Sequence, residues 1–263
     1  MSAKPRVAVY KFSSCDGCQL SLLNLEEALL TLVDRVEIAY FLEATRRTQP
    51  GPYDIALVEG SVSTPEEARR IHEVREQAGI VIALGTCACS GGVQALRNFA
   101  EADVWAAHVY PHPEYLHYLA RAVPIADEIR VDYEIWGCPV NGDQVVQVLA
   151  ALLMGKRPVL PDYTVCQECK RRGNVCVLVA EGKLCLGPVT RAGCGALCPA
   201  YGRGCYGCFG PWSQANTDAF LAAAARVASP DEVGRALRHI TGNAPAFAAA
   251  ADRVIAEQKG GAS

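Results

Sequence analysis

Residues 80–92 read Ile80-Val81-Ile82-Ala83-Leu84-Gly85-Thr86-Cys87-Ala88-Cys89-Ser90-Gly91-Gly92. Five apolar residues in a row are too few for a helix and too continuous for a strand with one wet face. They read as a strand buried on both sides, as in the middle of a parallel sheet. The glycine-rich run after it predicts a turn at the strand's carboxyl end, and that turn carries Cys87 and Cys89.

Working outward, strands and helices alternate on both sides. Strands are expected at Arg6–Phe12, Val36–Leu42, Tyr53–Glu59, Ile80–Leu84 and Val131–Trp136. Leucines at helical spacing predict a helix over Gln19–Val33, and another covers Gly142–Met154. Thr64 before Pro65, with Glu66 and Glu67 behind, predicts a capped helix start. The order predicts an α/β domain with a mostly parallel, doubly wound sheet of the flavodoxin-like kind.

On that scheme Cys15 and Cys18 follow the first strand, Cys87 the fourth and Cys138 the fifth. All four fall beyond the carboxyl ends of strands, the edge where open α/β sheets form their sites. Gly17, Gly85 and Gly137 stand beside them, where backbone must approach a bulky object closely. A buried cysteine is often only a small hydrophobe, and Cys89 is expected to pack near the centre rather than serve as a replacement ligand. Glu59, at the end of its strand, is expected to be a helix-cap partner or a solvated carboxylate rather than a residue of the functional edge, a partner interface or a proton route. The five histidines show no ligating pattern.

Residues 166–208 hold eight of the thirteen cysteines: Cys166, Cys169, Cys176, Cys185, Cys194, Cys198, Cys205 and Cys208. This stretch has too few aliphatic residues to build a core, so disulfides, zinc or iron–sulfur clusters must hold it. Eight ligands divide into two sets of four. The amino terminus shows no secretory signal, and no run approaches the about 20 apolar residues of a membrane span. A cytoplasmic protein is expected, where thiols serve metal or redox centres rather than disulfides. A formal charge of −3 in 263 residues gives no electrostatic case for nucleic acid. Beyond Trp212 the chain turns Ala-rich, and helices are expected over Ser213–Ser229, from Ser229-Pro230 onward, and over Ala244–Gln258.

The motifs SCDGCQLSLL, VEGSVST, GTCACSGGVQ, YEIWGCPV, CLGPVTRAGCGALCP and CYGCFGP together resemble the small, electron-transferring subunit of nickel–iron hydrogenases. The resemblance runs to about Trp212 and is strongest to the delta subunit of the cytoplasmic sulfhydrogenase or NAD(P)-linked type. It implies that Cys15, Cys18, Cys87 and Cys138 hold a proximal 4Fe–4S cluster. By the same resemblance Cys166, Cys169, Cys176 and Cys185 hold a medial one, and Cys194, Cys198, Cys205 and Cys208 a distal one. Exported relatives have histidine where Cys166 stands, and often only three cysteines in the last set. Single ligands exchanged between the last two sets remain open on spacing.

The resemblance further implies that no catalytic residue lies in this chain. A large subunit carries the nickel–iron centre, and partner iron–sulfur and flavin subunits bind NAD(P). The expected division is 1–160 for the flavodoxin-like domain with the proximal cluster, 161–212 for an irregular two-cluster domain, and 213–263 for a helical tail. The expected role is electron relay between the hydrogen-activating site and an NAD(P)-reducing or sulfur-reducing module. Rival readings keep the family but change the acceptor to a deazaflavin, ferredoxin or heterodisulfide-linked partner. Others make the chain a quinone-reductase cluster subunit or a zinc-stabilised interaction module.

Overall fold

The computed structural model describes residues 4–260, in two compact units, 1–159 and 160–263. The first is built on five parallel strands: β1 (Arg6–Lys11), β2 (Glu37–Phe41), β3 (Tyr53–Glu59), β4 (Ala78–Leu84) and β5 (Tyr133–Ile135). Their order is β2-β1-β3-β4-β5. This is the flavodoxin-like doubly wound sheet expected from the alternation. Val7, Val9, Ile55, Leu57, Val81 and Ile82 are buried in it.

Helix α1 (Gly17–Leu23) follows β1, and α2 (Glu27–Val33) follows α1. The single helix expected over Gln19–Val33 is therefore two. Glu26 stands between them at φ 49°, in the left-handed region. The break has a packing reason: Leu22 is buried, whereas Leu20 and Leu30 point to solvent, so the leucines do not share one buried stripe. α3 (Pro65–Gln77) starts as expected, its capping box pairing the Thr64 hydroxyl and the Glu67 carboxylate with each other's backbone N–H. It buries Ile71 and Val74.

The expected turn after β4 is a six-residue helix, α4 (Gly85–Ser90). Gly85 and Gly91 bracket it, both at φ 85°, which lets the chain enter and leave so short a helix. α5 (Ala102–Val109) follows, and α6 (Gly142–Leu153) closes the unit and buries Val145, Val148 and Leu149.

The second unit contains α7 (Val165–Arg171), α8 (Val177–Ala180), α9 (Leu197–Ala200), α10 (Thr217–Ala224), α11 (Pro230–Arg238) and α12 (Pro245–Gly260). α10 is shorter than the Ser213–Ser229 expected, because the Asn216 side chain caps it by accepting from the Ala219 N–H. α11 has the Ser229 cap in full, with Glu232 closing the box. Leu186 and Val189, from the cysteine-rich stretch, share one apolar cluster with Phe220, Leu237, Phe247 and Val254. The loop beyond α8 thus packs on the Ala-rich helices, whereas Val165 of α7 and Val177 of α8 share a separate small cluster with Cys185, Ala196 and Cys205. Among the described residues no helix is long and apolar enough to cross a membrane.

Candidate iron–sulfur sites

At the carboxyl edge of the sheet, β1 delivers Cys15 and Cys18, β4 delivers Cys87 on α4, and β5 delivers Cys138. Glycine geometry records how closely they meet. A Cβ on Gly85 would overlap the Cys18 sulfur and lie 3.4 Å from the Gly137 carbonyl oxygen. One on Gly92 would lie 2.5 Å from the Cys87 sulfur, and one on Gly17 would lie 3.4 Å from that of Cys15. Burial pushes the Cys87 thiol up to about 11, with Cys138 and Cys15 adding to it. Burial likewise raises Cys18 and Cys138, and each feels other members of the four. Thiols so buried stay protonated at neutral pH unless a metal takes the proton's place.

Glu59 is not solvated. Only 2% of its surface is exposed, and its carboxylate accepts from the Cys18 N–H at 3.1 Å and the Gln19 side-chain amide at 2.8 Å. Burial raises its pKa against both hydrogen bonds. It is thus the cap partner of α1, working from the neighbouring strand. Cys89 is buried, its sulfur 3.9 Å from the carbonyl oxygens of Ala83 and Ile135. Gln94 escaped the sequence reading as a site residue. Its amide donates to the Ser13 carbonyl at 2.8 Å, and its hydrogen bond to Cys87 works against the upward shift of that thiol.

In the second unit α7 places Cys166 and Cys169 three residues apart, on one helix face. Cys176 precedes α8, and Cys185 lies in the loop beyond. Burial pushes Cys166 up to about 12, followed by the influence of Cys185, Cys169 and Cys176. These four are brought together. A Cβ on Gly187 would touch the sulfurs of Cys166 and Cys185 alike, each at 3.4 Å.

Burial raises Cys194, which also feels Glu168 and Cys198. Cys205 is raised well above the ordinary thiol value by burial, then by Cys185 and Cys208. The interactions that single out these two pairs do not run between them. Backbone amides aim at sulfur, as cluster-binding loops require: Cys205 N–H to Cys185 at 3.2 Å and Gly207 N–H to Cys205 at 3.5 Å. Glu168, also missed from the sequence, accepts from the N–H groups of Gly193 (2.9 Å) and Ala196 (3.1 Å), tying α7 to the loop of Cys194. Among the described residues no group of three or more His, Cys, Asp or Glu side chains is drawn tightly enough to hold a single metal ion.

A profile of the family described as NADH ubiquinone oxidoreductase, 20 Kd subunit, matches residues 15–152. Sulfhydrogenase 2 subunit delta of Pyrococcus furiosus is 39% identical over 234 residues, covering 89% of this chain and 98% of that protein. The chain belongs to the nickel–iron hydrogenase small subunits. A family member from Methanocaldococcus jannaschii, a vhu subunit of F420-non-reducing hydrogenase, is 37% identical over 78% of this chain and 81% of its own. A chain of the NAD+-reducing [NiFe]-hydrogenase crystal structure superposes with a TM-score of 0.55 at 30% identity, covering 60% of this chain and 96% of that one. Membership makes the chain an oxidoreductase subunit concerned with electron transfer, working with a large subunit.

Proposed function

We propose that this chain conducts electrons through three 4Fe–4S clusters between the hydrogen-activating site of a cytoplasmic nickel–iron hydrogenase and a partner module that reduces NAD(P) or sulfur. Cys15, Cys18, Cys87 and Cys138 would hold the first cluster. Cys166, Cys169, Cys176 and Cys185 would hold a second, and Cys194, Cys198, Cys205 and Cys208 a third. Bound, the clusters supply one-electron redox chemistry. The chain's own residues supply the rest: bare glycines leave room, backbone amides donate to sulfur, and burial excludes water.

The observation that carries this reading is the meeting of Cys15, Cys18, Cys87 and Cys138 at one sheet edge, with Gly85 and Gly92 shaped round their sulfurs. Of the eight cysteines in the second unit only Cys176 is exposed, and each set has one buried member, Cys185 and Cys205.

The Pyrococcus furiosus relative, named a sulfhydrogenase, favours the sulfur- or NAD(P)-linked acceptor, and the NAD+-reducing structure favours NAD. The relative named F420-non-reducing favours a second reading, with an acceptor other than these. The ubiquinone-oxidoreductase profile ends before Cys166, so it says nothing for a quinone partner of the second unit.

Anaerobic iron and acid-labile sulfide analysis tests the proposal. About twelve irons per chain, with matching sulfide, is expected for three cubanes. Two zincs and no sulfide would sink it.

A further inference from the structure

We propose that Gln94 is a positioning residue of the first cluster. One of its two side-chain N–H groups holds the Ser13 carbonyl, and the other donates to the Cys87 sulfur and raises the potential at which the cluster takes an electron. This rests on reading Cys15, Cys18, Cys87 and Cys138 as cluster ligands. It goes beyond that reading by naming a group that sets the cluster's potential.

Gln94 stands in a short 3-10 helix, Gly92–Phe99, entered directly from α4 and its Cys87. The chain turns between the two through Gly91 and Gly92, at φ 85° and 59°. Gln94 Nε2 donates at 2.8 Å to the carbonyl of Ser13, two residues before Cys15. The closest approach is at Gly92, where a Cβ would lie 2.5 Å from the Cys87 sulfur and 3.0 Å from Gln94 Oε1. Sulfur and carboxamide thus share the space that a side chain at position 92 would fill. One side chain therefore joins the loops that follow β1 and β4.

A carboxamide has two N–H donors and one carbonyl acceptor. Ser13 takes one donor. The second meets Cys87, where burial, then Cys138, Cys15 and Glu59, oppose the charged sulfur and the Gln94 hydrogen bond favours it. The acceptor Oε1 is buried and has no partner among the described residues. Turning the amide over would set Oε1 against the Ser13 carbonyl oxygen, so the orientation is fixed. An unpaired buried acceptor costs stability. A group held at that cost beside an anionic centre is there for its donors.

A cluster that accepts an electron gains negative charge. A hydrogen bond to one of its sulfurs is then stronger in the reduced state, and the potential rises. The bond is little screened here, since Cys18 is buried and Cys87 and Cys138 are half-buried. A brace that only held Ser13 in place would leave the potential alone.

The test is a redox titration of the full chain, purified anaerobically, assayed first for iron and sulfide, and followed by paramagnetic resonance. The signal of the first cluster is the one that C138A removes. In Q94L that cluster should become harder to reduce. At a fixed solution potential its ratio of reduced to oxidised forms should fall about tenfold, as for the loss of one hydrogen bond to a charged group. The signals of the second unit should titrate as in the parent protein. Q94E, with the shape of glutamine but no N–H donor, should move the first cluster in the same direction by at least as much. It stands in for Q94L if leucine prevents loading.

Full iron content with an unmoved first signal in both variants overturns the role of Gln94 and leaves the cluster reading intact. Loss of the first signal from both variants would make the side chain a brace for Ser13 alone, and overturns the role as well. A parent chain without iron and sulfide overturns the cluster reading and this inference with it.

Discussion

The backbone N–H of Cys205 donates to the sulfur of Cys185, 3.2 Å away, although the two cysteines belong to different proposed sets. Cys205 in turn feels Cys185 more strongly than it feels its own neighbour Cys208. The two sets of the second unit are thus physically joined. The join depends on Gly204, where a Cβ would overlap the carbonyl oxygen of Leu184. Gly204→Ala must push these backbones apart, at about 1–3 kcal/mol, and carry the Cys205 amide away from Cys185. Iron analysis should find about four irons left of about twelve, those of the first unit. Gly182→Asn should keep its full content, since Gly182, at φ 61°, has open space round its Cβ position and asparagine tolerates that backbone. Full loading of Gly204→Ala would contradict the account.

Gly85→Ala should do the converse. Its φ of 85° disfavours any side chain by roughly 1–2 kcal/mol, and the added methyl would occupy the place of the Cys18 sulfur. Paramagnetic resonance of the reduced protein should show the signals of the second unit and lack that of the first. Retention of all signals would show that Gly85 is not part of the cradle.

Phe247 is fully buried among Leu186, Val189 and the Ala-rich helices, and the nearby Thr241 hydroxyl donates to the Gly207 carbonyl at 3.0 Å. Phe247→Ala should destabilise the second unit by about 3–5 kcal/mol. Limited proteolysis should then cut between residues 166 and 208 much faster than in the parent protein. An unchanged cleavage rate would mean that the cysteine-rich stretch stands without this core.

Asp132 ties the start of β5 to its surroundings, accepting from the Val81 N–H at 2.8 Å and from Arg75 at 2.7 Å. Burial alone would raise its pKa, but the Val81 amide, Arg75 and Arg130 outweigh it, and the carboxyl is held below the usual aspartate value of 3.8. A depressed folded pKa contributes stability that is present above the unfolded value and lost as pH falls through the folded one. Asp132→Asn should therefore lower stability near pH 7 by about 1–3 kcal/mol. It should also flatten the acid limb of a denaturation profile below about pH 4. A variant with the parent's acid limb would show that the clamp contributes little.

The sheet is legible in the sequence because its signals are local. Ile80–Leu84 is apolar throughout, and Thr64, Pro65 and Glu67 spell a cap within four residues. The same logic brings Cys15, Cys18, Cys87 and Cys138 to one edge from the strand order alone. What escapes is set by residues distant in the chain. Glu59 ends an apolar strand, and nothing local decides between a cap partner and a solvated carboxylate, until the Cys18 and Gln19 amides close over it. Glu168 carries no local signal at all, because its partners are the amides of residues 193 and 196. The break at Glu26 is equally invisible, since it follows from which leucines find a neighbour.

The strand order has a consequence for how the protein is made. Cys15 and Cys18 leave the ribosome first, Cys87 some seventy residues later, and Cys138 only with β5, the last strand to be synthesised. Until β5 docks beside β4, a nascent chain offers stray iron at most three of the four thiols. On the proposed ligand set the sheet therefore times its own readiness, because the fourth thiol arrives only with the last strand.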